Sequence, residues 1–314
     1  MDMFRVLEPG PFTTIQDTGR YGYQQFGIPI SGALDMFAFR VANMLVGNAE
    51  TAAELECTFL GPRLEVLSEG IVAVTGADMP VLVNGQVRES WQSFVVKPGD
   101  AISFRPAKTG VRAYVAVAGG INVPEIMGSR STFVGAKIGG LKGRALTKGD
   151  FLPVGSSSDA HVSRFLPEGF KPRWKNKITL RAMPGPQDDY FEEGMQIFFN
   201  TEFEVTSQAD RMGYRLSGPV IPLKQGMPKT IISEPSLPGA VQVPPDGQPI
   251  IKLVELTVGG YAKIASVITP DLDLVAQARP GDSVRFVSVN LSEAHRAYFA
   301  YQEELERTRE MLEN

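Results

Sequence analysis

Histidine and cysteine are nearly missing from this sequence, with two of the first and one of the second among 314 residues. A lone Cys57 excludes an internal disulfide framework and a cysteine-rich zinc site. Its setting, Leu55-Glu56-Cys57-Thr58-Phe59, has the composition of a strand, so a buried, inert thiol is expected rather than a nucleophile. His161 lies in the polar stretch 155–164 and His295 in a charged C-terminal segment, and both are expected to be solvated. A Ser-His-Asp or Cys-His arrangement, or a His-rich metal site, would have to recruit its histidine from a linker or a tail. Chemistry is thereby left to carboxylates, Arg, Lys, Tyr and backbone amides, and no metal is expected.

Excess positive charge is missing too. Lys plus Arg number 31 against 35 Asp plus Glu, a net charge of -4, which removes the electrostatic footprint of a nucleic-acid or anionic-membrane binder. The longest apolar stretches, such as residues 111–118, fall well short of the roughly 18 residues of a membrane span. No basic segment leads into an apolar one at the N-terminus, so a soluble, cytoplasmic protein is expected. The Walker spacing Gly-x4-Gly-Lys-Ser/Thr does not occur.

What the chain has in abundance is punctuation. Its 32 glycines and 23 prolines separate short runs rich in Val, Ile and Phe, at 71–74, 94–96, 101–104 and 111–118. This spacing predicts a mainly β protein of sandwich or barrel kind with few helices. One helix is predicted over 35–47, where Phe37, Val41, Met44 and Leu45 share a face, Asp35 stands near the start and Gly47 where a helix would end. A C-terminal helix is predicted over 292–314, capped by Ser292, dense in Glu and Arg, with Ala297, Tyr298, Tyr301, Leu305 and Leu312 as its less polar stripe. That stripe can pack on the second lobe or on a partner.

The length suits two lobes. A faint internal repeat agrees: Leu-Gly-Pro-Arg-Leu at 60–64 returns in kind as Ser-Gly-Pro-Val-Ile at 217–221, and a Pro-Gly-Asp turn precedes an apolar run at both 98–104 and 280–286. Gly155-Ser156-Ser157-Ser158-Asp159 is the most linker-like composition, which sets the expected boundary near residue 160. The expected organisation is an N-terminal β lobe over 1–160, a C-terminal β lobe over 161–291 and the helix from 292.

Gln16-Asp17-Thr18-Gly19-Arg20, Gly27-Ile28-Pro29, the runs 31–35, 43–48 and 55–58, and then 185–188, 210–215, 232–234, 241–244, 247–249, 259–261 and 272–277 occur in the order of a known family signature. The chain resembles the carboxyltransferase subdomain A/B family, which includes the C subunit of 5-oxoprolinase, allophanate hydrolase subunit 2, the KipI antagonist and a segment of urea carboxylase. The resemblance covers nearly all of residues 3–290. It implies two cyclophilin-like β-barrel lobes, a complex with a KipI-like B component and an A component of 5-oxoprolinase, and ATP-dependent opening of 5-oxoproline to glutamate by that complex but not by this chain alone. Two family alternatives stay open. One is the carboxyltransferase part of a biotin-dependent urea-type carboxylase, with biotin carried by another polypeptide; the other is a non-catalytic antagonist that binds a KipI-like kinase inhibitor. Leu256 stands where many relatives carry Gln, and Ala262 where Pro is frequent, which leaves substrate identity open.

Opening a lactam requires an activated carbonyl, cations for phosphoryl charge and a carboxylate to orient water or accept its proton. Asp210 and Arg211, adjacent in a polar turn, are read either as an exposed anion clamp or as an ion pair bracing the turn. Glu234, after the strand-like 230–232, completes the catalytic candidates. Asp17 and Arg20 flank a Thr-Gly turn and fit either a local Asp turn with a salt bridge or ligand binding. Gln187, Asp188, Gln242 and Gln248 sit among Gly and Pro, where amides that donate and accept suit a lactam or ureido group as well as loop bracing. Tyr261 follows two glycines that permit close approach of a ligand. Lys137, Lys142 and Arg144, in a glycine-rich stretch, are candidate phosphate contacts, with a solvated turn as the other reading.

Overall fold

The computed structural model describes residues 2–157 and 164–313, so His161 and the boundary expected near residue 160 lie outside the described residues. The chain forms two units, one of residues 1–21, 31–174 and 305–314, the other of 22–30 and 175–304. The first unit holds β1 (Asp2–Glu8), β2 (Phe12–Gln16), α1 (Met36–Leu45), β3 (Glu54–Thr58), β4 (Arg63–Val66), β5 (Gly70–Gly76), β6 (Val81–Val83), β7 (Gln86–Arg88), β8 (Ser93–Val96), β9 (Ala101–Phe104), β10 (Arg112–Val117) and β11 (Phe151–Pro153). They build a six-stranded sheet, β11-β1-β4-β9-β6-β7, and a five-stranded sheet, β2-β3-β10-β5-β8. Phe4, Leu64 and Ile102 of the first sheet and Ile15, Leu55, Cys57, Val74 and Val115 of the second share one core. β5 and β10 are buried at nearly every position because α1 packs on them as well, so the alternation of a half-exposed strand is lost there. Asp35 caps α1, its Oδ1 accepting the Ala38 N–H at 2.9 Å. Burial pushes the Cys57 thiol well above its ordinary range, as expected of an inert cysteine.

The second unit holds β12 (Lys177–Pro184), α2 (Glu192–Asn200), β13 (Glu202–Ala209), β14 (Gly213–Ser217), β15 (Glu234–Pro235), β16 (Ala240–Gln242), β17 (Ile250–Lys252), β18 (Val258–Gly259), β19 (Lys263–Val267), α3 (Leu272–Gln277), β20 (Ser283–Ser288) and α4 (Leu291–Glu313), the last counted with the first unit from Leu305. Seven strands close a barrel, β12-β19-β16-β17-β14-β13-β20, sealed by the parallel pair β12 and β20. Inside, Phe198 of α2 stacks on Phe286 at 4.2 Å between centroids and Phe203 meets Phe286 edge-on. β15 and β18 pair separately as a two-stranded sheet. Among the described residues no helix is long and apolar enough to cross a membrane.

The Pro-Gly-Asp repeat is a repeated structure. Asp100 Oδ2 accepts the Lys97 N–H at 2.7 Å and Asp282 Oδ2 the Arg279 N–H at 2.8 Å. In both turns the glycine N–H bonds an earlier strand, Gly99 to Val66 and Gly281 to Val205, and both glycines are left-handed, at φ 89° and 91°. A third copy lacks the proline and escapes sequence inspection: Asp150 Oδ2 accepts the Thr147 N–H at 2.7 Å and Gly149 donates to Val6. One expected cap is displaced. Asn290, not Ser292, begins α4: its Oδ1 accepts the Glu293 N–H at 3.0 Å while Glu293 Oε2 accepts the Asn290 N–H at 2.8 Å, a reciprocal capping box.

The first unit also buries two carboxylates side by side. Glu56 Oε2 accepts the Tyr114 hydroxyl at 2.8 Å and the Leu34 N–H at 3.0 Å. Glu54 has only a long contact from Asn43, at 3.5 Å, and an Oε2 without a partner among the described residues. Burial first, then the Glu56 charge, holds the Glu54 carboxyl well above the ordinary 4.5. A carboxyl raised in the folded state contributes its full stability below the unfolded value and loses it as pH rises toward the folded value. Glu54→Gln is therefore expected to raise the thermal midpoint at pH 8 by ~2–4 °C per kcal/mol recovered and to match the parent at the acid end. Melting curves across the pH range test this, and a uniform loss at every pH would refute a neutral Glu54.

Candidate functional site

Gln187, Glu234 and Gln242 come together around a residue that sequence reading misses, Lys263. This lysine is buried at the start of β19 and its Cα pairs with that of Gln242 on β16. Gln187, on the turn after β12, accepts the Lys263 N–H on its Oε1 at 3.0 Å and donates from Nε2 to Glu234 Oε1 at 2.7 Å. The Lys263 ammonium donates to the same Glu234 oxygen. Gly185 has a positional reason: a Cβ there would strike the Lys263 carbonyl. Gly259 has another, since a Cβ there would overlap the Gln242 side-chain amide. Glu234 and Gly259 are themselves paired across β15 and β18.

The hydrogen bond from Lys263, followed by that from Gln187, holds the Glu234 carboxyl below the usual glutamate range. Glu234 is ionised at neutral pH and is a weak base, better suited to fixing Lys263 than to removing a proton from water. The Gln242 Nε2 group is buried and has no hydrogen-bond partner among the described residues. An unmet amide donor and an ammonium on paired residues can together receive a carbonyl or carboxylate oxygen. The signal for Lys263 is a single charge inside the apolar run Ala262-Lys263-Ile264-Ala265; a lysine is seldom fully buried without a partner.

The remaining candidates are placed elsewhere or turned inward. Arg211, read as an exposed clamp, is only 4 % exposed, and its Nε donates to Glu255 Oε1 at 2.6 Å. Barrel packing of the β13–β14 connection against the loop before β18 closes it over, with the Glu255 N–H on the Arg211 carbonyl at 3.2 Å. Asp210 Oδ1 instead accepts the Met212 N–H at 2.7 Å and the Gly213 N–H at 3.2 Å, a local turn. Residues 230–232 are not a strand; the strand is Glu234–Pro235, with the Ile231 N–H bonded to the Gly260 carbonyl ahead of it. Gln248 braces a turn, accepting the Gly218 N–H at 2.8 Å and donating to its carbonyl at 3.2 Å. Asp188 is half-buried beside Gln187, and Tyr261 half-buried two residues before Lys263.

In the first unit, Asp17 accepts from Ser129 and Ser131 hydroxyls at 2.7 and 2.5 Å and from the Gly19 and Arg130 N–H groups at 2.8 and 2.5 Å. Arg20 is fully buried and donates to the Ile126 and Ser131 carbonyls, both at 2.9 Å. Both side chains bind the distant segment 126–131, and the buried Arg20 Nη1 has no hydrogen-bond partner among the described residues. Lys137 and Lys142 are exposed, but Arg144 is committed to both oxygens of Asp150 at 2.7 Å. The space beside Gly139, Gly140 and Gly143 is filled by the Ser131 carbonyl, the Thr132 hydroxyl and the Lys137 main chain, which is why side chains are excluded there.

Fold and site together define a mainly β, barrel-containing protein whose polar cluster is one ammonium, one carboxylate and two amides. The carboxyltransferase domain model, subdomain A and B, matches residues 26–288, and the chain belongs to that family. It is 41% identical over 299 residues to the C subunit of 5-oxoprolinase from Escherichia coli strain K12, covering 94% of each chain. Against the crystal structure of K. lactis urea amidolyase it aligns at a TM-score of 0.92 and 31% identity, over 98% of this chain and 20% of that one. Another solved chain aligns at a TM-score of 0.83 and 37% identity over 92% of this chain, which spans 56% of it.

Proposed function

We propose that the chain is the C subunit of an ATP-dependent 5-oxoprolinase, opening 5-oxo-L-proline to L-glutamate in the cytoplasm together with a KipI-like B component and an A component. The observation that carries this reading is the 41% identity to the Escherichia coli protein, higher than the 34% to the urea amidolyase of Lachancea kluyveri. The site chemistry supports it. A lactam carbonyl is received by an ammonium and a neutral amide without a metal, and Lys263 and Gln242 supply that pair. The lactam oxygen takes the γ-phosphoryl group of ATP and ADP leaves; water adds to that carbon, the ring C–N bond breaks with the nitrogen leaving as an amine after taking up a proton, and a second water releases phosphate from the resulting acyl phosphate.

A second reading, carboxyl transfer from biotin held on another polypeptide, is favoured by the family and by the fit to urea amidolyase. Reconstitution separates the two. The purified chain alone is expected to show no 5-oxoproline-dependent ATP hydrolysis, and the three components together to show it without inhibition by avidin. Silence of the complete mixture would sink the oxoprolinase reading; avidin-sensitive turnover of a urea-like amide would establish the other.

A further inference from the structure

We infer that the β15–β18 flap is a lid, latched by the Glu234–Lys263 ion pair over a ligand-binding pair formed by the Lys263 ammonium and the Gln242 side-chain amide. The ligand is a small molecule that presents a carbonyl or carboxylate oxygen; this ligand class rests on the reading proposed above, whereas the lid does not.

The flap is held lightly. Its two strands pair with each other, Glu234 with Gly259 and Pro235 with Val258, and the Ile231 N–H to Gly260 and Ser236 N–H to Thr257 bonds extend that pairing, both at 2.9 Å. Neither strand belongs to the barrel sheet. Its apolar side chains add little burial: Ile232 is 92% exposed, Leu237 67% and Val258 51%. Segments with few buried apolar contacts open at the low end of a protein's stability range. At its base the Arg211–Glu255 pair fixes the approach to β18, and left-handed Gly239, at φ 94°, stands between β15 and β16.

The groups beneath the flap are arranged for a ligand that is not the flap. Gln242 Nε2 is a buried donor with no partner among the described residues, pressed against Gly259 where any side chain would displace it. Lys263 is capped by Glu234, whose side chain is 38% exposed. When the flap lifts, Glu234 passes into water at little cost, and an incoming oxygen both replaces it on Lys263 and satisfies the Gln242 amide. A merely structural Lys–Glu pair would not require an unmatched amide beside it.

The test compares the full-length parent with Glu234→Gln by hydrogen–deuterium exchange and by acetylation of lysines with an amine-reactive ester, both read by mass spectrometry. Exchange in 230–237 and 256–261 is expected to quicken by about tenfold and Lys263 acetylation by a similar factor, with β12 and β20 unchanged. Glu234→Ala, which removes the latch without a polar substitute, should move both readouts the same way. Unchanged exchange in the flap, or a rise shared by β12 and β20, would overturn the lid. Saturating 5-oxoproline should then shield Lys263 in Glu234→Gln; failure of that shielding alone, with the exchange difference present, counts against the amide-substrate reading and leaves the lid standing.

Discussion

Replacing Lys263 with methionine is expected to lower turnover of the reconstituted enzyme about a hundredfold or more, the loss of roughly 3 kcal/mol of charge stabilisation made at the reacting carbonyl. Methionine fills the space of the buried lysine stem, so the barrel strand that carries it should keep its packing. Glu234 loses its partner but already touches solvent, and an ion pair with one exposed member contributes at most about 1 kcal/mol. The expected signature is thus a large fall in rate beside a nearly constant thermal midpoint. Both are measured on the same preparation. Unchanged turnover would place the chemistry away from this cluster, and a collapse of the midpoint would recast Lys263 as a structural residue.

Arg211→Ala is expected to do the reverse. The Arg211 and Glu255 side chains are 4% and 10% exposed, and removing one member of such a pair strands the other charge in a poorly solvated place, at about 3–5 kcal/mol. At ~2–4 °C per kcal/mol for a unit of this size, the barrel should melt roughly 6–20 °C lower. Asp210→Ala removes a local turn acceptor and a charge near Lys252, and should cost about 1 kcal/mol. Calorimetry of the two variants against the parent checks the contrast. An Arg211→Ala protein with its midpoint intact and its turnover lost would restore the anion-clamp reading that the buried ion pair displaces.

The fold is legible in the sequence where local pattern and tertiary contact agree. Asp35 caps the helix that the Phe37, Val41 and Leu45 periodicity predicts, and the Pro-Gly-Asp turns mark strands β9 and β20 because proline and glycine leave the aspartate one local acceptor role. The turn at Thr147 is illegible without its proline. Site legibility follows a different division. Gln187, Glu234 and Gln242 are recognisable as amides and a carboxylate among Gly and Pro, but nothing in sequence separation brings Gln187 within 2.7 Å of Glu234; the pairing of β12 with β19 under the β15–β18 flap does. Arg211 reads as either an exposed clamp or an ion pair with its neighbour, and it is buried in an ion pair, but with Glu255, far along the chain, rather than with Asp210. Asp17 and Arg20 read as either a local Asp turn with a salt bridge or ligand contacts, and the serine hydroxyls and carbonyls of 126–131 engage both side chains while leaving Arg20 Nη1 without a partner among the described residues.

Barrel closure also has a kinetic side. Lys177 pairs with Ser283 and Ala182 with Ser288, so the seam joins the first strand of the barrel to its last. During synthesis β12 leaves the ribosome long before the strand that completes it, and loop-closure entropy must be met before that pairing gives any return. The Asp282 turn, which docks Gly281 on Val205 and Val205 on the Asp282 carbonyl, sets β20 in register ahead of the seam. Until then β12 is an open edge in a nascent chain, where an unpaired strand is exposed to pairing with another chain.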